Sequence, residues 1–318
     1  MHVLITGAAG ALGARLARSI VADPPPGLMR LTLTDTTAPA APAGAAVPIV
    51  TAALDLQDAA AITRRMARRP DVVFHLAAPD PADRDWSRGF DVARRLFDAV
   101  AATPDHAPRL VLASSIAVFG PPAPPVIPDE HAPAPATGFG AQLAAVELLL
   151  AERVRAGEID GLALRLPAIA GLGAPWGLAD WIAALLRDAP AGRSAVLPVE
   201  EGRRLWLASS RVAVLHLRQA AEMDLAALGP RCGLILPGVP VRAGEIVEAL
   251  ARVAGEGAAE QIRREIDPEA ELAAAAWPGW FEASRARSLG FRPEASLDAL
   301  VAAELRDAGP SPARSGKA

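Results

Sequence analysis

The eight residues TGAAGALG, Thr6 to Gly13, constrain this chain more than any other stretch. They follow an apolar run, HVLIT, and open an amphipathic one, ALGARLARSIVA. A strand that passes directly into a helix needs residues free of a Cβ at the turn and at the close helix–strand approach. Gly7, Gly10 and Gly13 supply them. The spacing therefore predicts a tight β-to-α turn, with free N–H groups and a positive dipole end offered to an anion.

The same alternation continues along the chain. Short β-branched apolar runs predict strands at 2–7, 30–35, 48–53, 71–77, 109–114 and 161–166. Helical patterns lie between them, at 11–22, 57–68 and 140–156. Buried strands separated by amphipathic helices imply a parallel sheet covered on both faces. Right-handed crossovers then favour an α/β, doubly wound (Rossmann) sheet. Proline-rich loops are expected at 36–48 and 120–138. After RLPAIAG (165–171) the alternation breaks. One more strand candidate (232–238) and helices at 243–254 and 295–306 suggest a smaller C-terminal substrate or cap domain. The expected units are 1–166, a dinucleotide-binding domain; 167–306, mainly cap with some return to the first domain; and 307–318, a disordered tail.

The second strand ends on Asp35, close to the ~20 residues onward at which a dinucleotide fingerprint places its acid. A carboxylate there can accept both hydroxyls of a ribose and repels a 2′-phosphate, so the cofactor expected is NAD rather than NADP. Asp55 and Leu56, after the third strand, are placed to flank the adenine, although a capping Asp explains Asp55 equally well.

Composition excludes several classes. The chain has 318 residues, 52% hydrophobic and 21% charged, with a net charge of -4, which gives no basic footprint for nucleic acid. No apolar run reaches the ~18 residues of a membrane span, and a strand-like run from residue 2 leaves no room for a signal peptide. The one cysteine, Cys232, reads as a small core residue, and five scattered histidines show no metal-ligand spacing. These features lead to the expectation of a cytoplasmic, soluble protein. The chain also contains no Tyr and no Asn, and its only Lys is Lys317. A GC-rich genome accounts for part of that bias but would not remove a residue that selection needed.

TGxxGxxG, the strand-end Asp35, HLAA (75–78) and SSIAVFG (114–120) together resemble an extended short-chain dehydrogenase/reductase of the NAD-dependent epimerase/dehydratase type. Further blocks, among them LRLPAI, AVLPV, RLWLAS, IRREIDP and RARSLGF, resemble the subgroup of D-erythronate dehydrogenases, from residue 1 to about 305. The resemblance implies cofactor contacts at Gly7, Ala9, Gly10, Ala11, Leu12, Gly13, Asp35, Asp55, Leu56, Leu76, Ala77, Ala78, Ala113 and Pro167. It implies a catalytic-side serine at Ser115 and substrate contacts at Ser114, Arg204 and Trp206, with an apolar Leu207 where the subgroup suggests His. A small-molecule substrate and a homodimer follow from the same resemblance, the latter through the helix carrying Val146, Leu149, Leu150 and Val154.

The departures decide the chemistry. The family's Tyr-x-x-x-Lys positions fall on Phe139 and Leu143, and its Asn has no counterpart near RGFDVARRLF (88–97). Phe139 cannot take a proton and Leu143 cannot lower a neighbour's pKa. Losing a positioned general base costs ~10²–10⁴ in rate. Relocation is conceivable in PDEH, where Asp129, Glu130 and above all His131 could titrate, although a solvated loop is the simpler reading. His75 reads as a packed strand residue, and Asp80, Asp83 and Asp85 as a solvated run. Three functions stay open: an NAD-binding enzyme of non-standard mechanism, a non-catalytic NAD-binding sensor or scaffold, and a D-erythronate-type dehydrogenase with an altered motif.

Overall fold

The computed structural model describes residues 1–77, 87–103, 106–171, 180–229 and 231–308. Seven strands form one sheet. They are β1 (His2–Thr6), β2 (Arg30–Asp35), β3 (Ile49–Ala53), β4 (Val72–His75), β5 (Arg109–Ser115), β6 (Asp160–Leu166) and, after three strands placed elsewhere, β10 (Gly233–Ile235). Their order is β10-β6-β5-β4-β1-β2-β3, and every pairing is parallel. The order reverses between β1 and β4, which opens a crevice at the carboxyl ends of those strands.

Strand periodicity builds the two faces. On β1, Val3 and Ile5 enter one apolar cluster and Leu4 the other. Val72 and Phe74 of β4 join the first cluster, with Val73 in the second. Helices α1 (Ala11–Ala22) and α6 (Ser210–Glu222) cover the first face through Leu16, Ile20, Ala213 and Leu217. Helices α2 (Ala59–Met66), α3 (Ser87–Ala101) and α4 (Gly138–Arg155) cover the second through Ile62, Phe97 and Leu150. Both faces are covered over β1, β2, β4, β5 and β6, which is why these strands read as continuous apolar runs, whereas the edge strand β3 is largely exposed.

The boundaries differ from expectation for local reasons. β1 stops at Thr6 because Gly7 adopts φ +75°. Helix α4 starts at Gly138 because the Thr137 hydroxyl accepts the Gly140 N–H at 3.1 Å. Helix α2 is shorter than 57–68 because Asp58 caps it, accepting from Ala61 N–H. The expected strand at 71–77 spans only Val72–His75, and that at 232–238 only Gly233–Ile235.

The later chain builds a second layer. β7 (Ala168–Ile169), β9 (Arg204–Ala208) and β11 (Val239–Arg242) form a three-stranded sheet, and β8 (Ala195–Leu197) pairs with β12 (Ile262–Arg264). Helices α5 (Asp180–Asp188), α7 (Ala243–Ala254) and α11 (Leu297–Ala308) pack around them, with the shorter α8 (Glu256–Ala259), α9 (Pro268–Ala275) and α10 (Ser284–Ser288) between. The same stretch returns α6 and β10 to the first sheet. The expected Asp80, Asp83 and Asp85 run and residues 309–318 lie outside the described residues. Among the described residues, no helix is long and apolar enough to cross a membrane.

Candidate functional site

A cleft of about 580 Å³ opens at the β1/β4 switch point. Gly7, Ala9, Gly10, Asp35, Asp55, Leu56, Leu76 and Ala77 line it, as expected from the sequence. Its wall also holds Thr6, Thr34, Gln57, Arg88, Gly89 and Val92, which the sequence reading did not single out. A Cβ at Gly7 would lie 2.5 Å from the Ala77 nitrogen, and at Gly13 2.2 Å from the Gly7 carbonyl oxygen. Only glycine permits that approach of turn, helix and β4. Ala11, Leu12 and Gly13 line α1 rather than the cleft, so any contact from them is through first-turn N–H groups. Gly10 caps that helix without a side-chain bond, and no acid sits in its first turn.

The Asp35 carboxylate is held in place. Its Oδ2 accepts the Ala9 N–H at 2.9 Å and its Oδ1 the Thr36 N–H at 2.8 Å. Two oxygens carry about four lone-pair sites, so capacity remains for a ligand hydroxyl. Asp55 uses Oδ1 to accept the Gln57 N–H at 2.8 Å in the turn ahead of α2, whose cap is Asp58 rather than Asp55, while also lining the cleft. Behind the cleft, His75 is fully buried and its Nδ1 pairs with the Thr6 hydroxyl at 2.8 Å. Burial pushes this imidazole down to about 4, so it is neutral and structural at pH 7. Ala113 and Pro167 do not line this cleft, and Ala78 lies outside the described residues.

The two serines of SSIAVFG face different surroundings, as alternation along a strand requires. Ser115, half-buried at the end of β5, accepts the Ala117 N–H at 3.1 Å and keeps its own proton to donate. Ser114, expected to touch substrate, instead donates to Glu147 Oε1 at 2.5 Å. Glu147 is paired with Arg165 through Nε at 3.0 Å and Nη2 at 2.7 Å, all of it buried. Strand alternation corrects that assignment: Ser114 belongs to a buried brace between α4, β5 and β6.

Phe139 and Leu143 do keep helical register on α4. Both enter an apolar cluster with Ile116, Val118, Phe119, Trp206 and Phe281. Leu143 is 7% exposed, so no water surrounds it. His131 stacks on Phe119 with ring centroids 5.8 Å apart and does not line the cofactor cleft. Asp129 accepts the Arg285 N–H at 2.8 Å, and Glu130 pairs with Arg231 at 3.3 Å. The structure thus commits the PDEH loop to packing and pairing.

On the second layer, Arg204 and Trp206 separate. Trp206 is buried, donating Nε1–H to the Leu236 carbonyl at 3.0 Å, so it forms a wall rather than a polar contact. The Arg204 guanidinium lies 4.2 Å from the Trp280 ring centroid and has no carboxylate partner among the described residues. It lines a second cleft of about 420 Å³ with Pro121, Pro124, Pro125 and Trp277. Leu207 is buried between β7 and β11. Among the described residues, no group of His, Cys, Asp and Glu is arranged to hold a metal. Burial, then the Glu147 charge, pushes the Cys232 thiol up to about 11.

Residues 3–226 match the model of the NAD dependent epimerase/dehydratase family. The chain belongs to that family. D-erythronate dehydrogenase of Cupriavidus necator is 38% identical over 97% of this chain and 99% of its own length. D-erythronate dehydrogenase of Haemophilus influenzae is 30% identical over 95% and 98%. A solved nucleoside-diphosphate-sugar epimerase from Agrobacterium tumefaciens superposes with a TM-score of 0.91 at 39% identity, over 96% of this chain and 94% of that one. A GalE-like L-threonine dehydrogenase from Cupriavidus necator shares the fold, with a TM-score of 0.83 at 21% identity, over 96% and 99%.

The family's cofactor is NAD, and the cleft fits it. The glycine turn accommodates a pyrophosphate where any Cβ would collide with backbone, and the uncapped α1 N-terminus offers donors to it. Asp35 and Leu56 line the same cleft, and the Asp35 carboxylate has acceptor capacity left for hydroxyls. In this member of the epimerase/dehydratase family the glycine-lined cleft stands at the switch point, and α4 carries Phe139 and Leu143 in the apolar cluster with Phe119 and Trp206.

Proposed function

We propose that the chain binds NAD(H) and acts as an oxidoreductase on a small hydroxylated or sugar-acid-like substrate, without a Tyr–Lys pair. The observation that supports this most is the intact cleft around Gly7 and Asp35 beside an α4 that carries Phe139 and Leu143. NAD supplies hydride acceptance, and NADH hydride donation, when bound. The Ser115 hydroxyl donates a hydrogen bond to the substrate oxygen and orients it, keeping its own proton. In the oxidising direction the hydroxyl proton passes to water rather than to a positioned base, which predicts a slow reaction.

Arg204 is the group best suited to a substrate carboxylate. Its guanidinium lies on Trp280, donates one long bond to the Pro125 carbonyl at 3.5 Å and has no carboxylate partner among the described residues, and a held planar fork suits a carboxylate. Erythronate, named in both curated relatives, is a hydroxy acid. The apolar cluster around Phe139, Leu143 and Trp206 favours a less polar hydroxy acid. The closure of Leu143 into that cluster also supports a second reading, an NAD-binding sensor without turnover. A homodimer is part of the proposal, because Leu148 on α4 is 71% exposed beside Leu149.

Calorimetry should show NAD(H) binding in the micromolar range; no heat at millimolar cofactor would sink the proposal and the sensor alike. With NAD and D-erythronate, absorbance at 340 nm should not rise at an ordinary dehydrogenase rate. A hydroxy-acid panel at high protein concentration then separates the readings. Slow NADH formation supports the oxidoreductase, and binding without turnover on any acid supports the sensor.

A further inference from the structure

One polar side chain near the cleft has no task in the fold. Gln142 lies on α4 between Phe139 and Leu143 and is only 3% exposed. Among the described residues, nothing hydrogen-bonds its carboxamide. An amide carries two N–H donors and an acceptor oxygen, which here remain open to a ligand.

Its location is specific. Helix α3 packs against α4, and Gly89 of α3 faces Gln142. A Cβ at Gly89 would lie 2.1 Å from Gln142 Nε2, 2.5 Å from Cδ and 2.6 Å from Oε1. The carboxamide therefore occupies the space that any side chain at position 89 would fill. Gly89, with its neighbours Arg88 and Val92, lines the cofactor cleft. Only a residue without a side chain separates the Gln142 amide from that cleft. The resemblance leads one to expect an Asn amide on this helix, and α3 carries none.

We propose that Gln142 supplies that amide from the opposite helix, hydrogen-bonding the pyrophosphate–ribose stretch of bound NAD through the gap at Gly89. This rests on the cofactor reading above. Gln142 is then a cofactor-positioning residue and Gly89 the vacancy that admits it. The amide is neutral, so it holds the cofactor by hydrogen bonding, with no charge to lower a nearby pKa as the family's Lys would.

The test is calorimetry with NAD, ADP-ribose and AMP on the intact chain and its variants. Gln142→Leu keeps the volume and removes the amide, and thermal melting checks its fold. Loss of one neutral hydrogen bond predicts about 3- to 10-fold weaker NAD and ADP-ribose binding, with AMP unchanged. Gln142→Ala should weaken binding similarly. Adding Gly89→Asn to Gln142→Ala returns an amide from α3 and should recover most of the loss. A purely structural Gln142 would not produce that recovery. Unchanged NAD affinity in a folded Gln142→Leu overturns the proposal, as does equal weakening of AMP or failure of the swap to recover affinity. If the unaltered chain binds NAD and Gln142→Leu binds it equally, this inference alone fails. No binding by the unaltered chain sinks the cofactor reading with it.

Discussion

Acid should destabilise this protein within a window set chiefly by two of its three buried imidazoles, His75 and His216, with burial lowering His2 in the same direction. His75 sits under the cofactor cleft, with its Nδ1 against the Thr6 hydroxyl. His216 of α6 lies edge-on to Phe291 at 5.4 Å, and its Nε2 is 3.0 Å from the Arg292 carbonyl. Burial lowers each from 6.5 to about 4. At His216 the carbonyl bond opposes this and is outweighed. Such a fall corresponds to about 3 kcal/mol of preference for the neutral form at each site. In the unfolded chain both protonate near 6.5. The unfolded state therefore binds more protons than the fold between about pH 6.5 and 4, and stability falls as pH falls through that range.

The two sites together give a loss on the order of 6 kcal/mol, comparable with the ~5–15 kcal/mol that holds a typical domain folded. Glu304 opposes part of it. Burial raises its pKa, despite bonds from Ser210, so acid relieves a strain of the opposite sign there. Asp188, whose pKa is lowered first by its bond from Arg187, keeps its contribution until below the window. Urea unfolding at pH 7.5, 6, 5 and 4.5, followed by circular dichroism, measures the slope. His216→Gln should remove about half of the loss, and Glu304→Gln should steepen it. A stability that changes by under about 1 kcal/mol from pH 7.5 to 4.5 would refute the assignment of buried neutral imidazoles.

Three further outcomes follow from the site. Asp35→Ala should weaken NAD binding and bring NAD and NADP affinities together, because the carboxylate that repels a 2′-phosphate is gone; calorimetry with both cofactors reads the ratio. Arg165→Met leaves Glu147 charged and buried, and should cost about 3–5 kcal/mol in urea unfolding. Adding Glu147→Gln removes the stranded charge and should recover much of that. Phe139→Tyr with Leu143→Lys should raise NADH formation from D-erythronate by ~10²–10⁴ over the unaltered chain, if the rest of the site is competent. A folded, NAD-binding double variant with no gain would show that more than the proton machinery has changed.

The cofactor cleft was legible because its signals are local. The glycine spacing, the strand before it and the acid ending β2 lie within one supersecondary unit. The alternation of Val3, Leu4 and Ile5 between two clusters was legible for the same reason. Partnerships across long stretches of chain were not. Gln142 meets Gly89, and Glu147 meets both Ser114 and Arg165, only once the helices are laid on the sheet. Strand alternation alone could have separated Ser114 from Ser115, because adjacent residues of β5 face opposite sides. The PDEH loop offers His131 as a titratable group, but nothing local to it says that Phe119 takes its ring.

Helix α4 is held along its length whatever occupies positions 139 and 143. Phe139, Leu143 and Glu147 recur every four residues along one face, with Gln142 beside them. At the inner end, Glu147 is bound to Arg165 and Ser114, and Arg165 lies 5.0 Å over the Phe119 ring. That brace ties α4 to β5 and β6 whatever occupies positions 139 and 143. Phe139 and Leu143 then bring their own apolar contacts with Phe119 and Phe281, so the helix is held along its length. What such a helix can still offer a bound dinucleotide is an amide from Gln142, and what the adjoining strand can offer a substrate is the hydroxyl of Ser115. Both orient a ligand, and neither ionises near neutrality. On the proposed oxidation, a proton leaving the substrate would therefore go to water, which is why the reaction is expected to be slow.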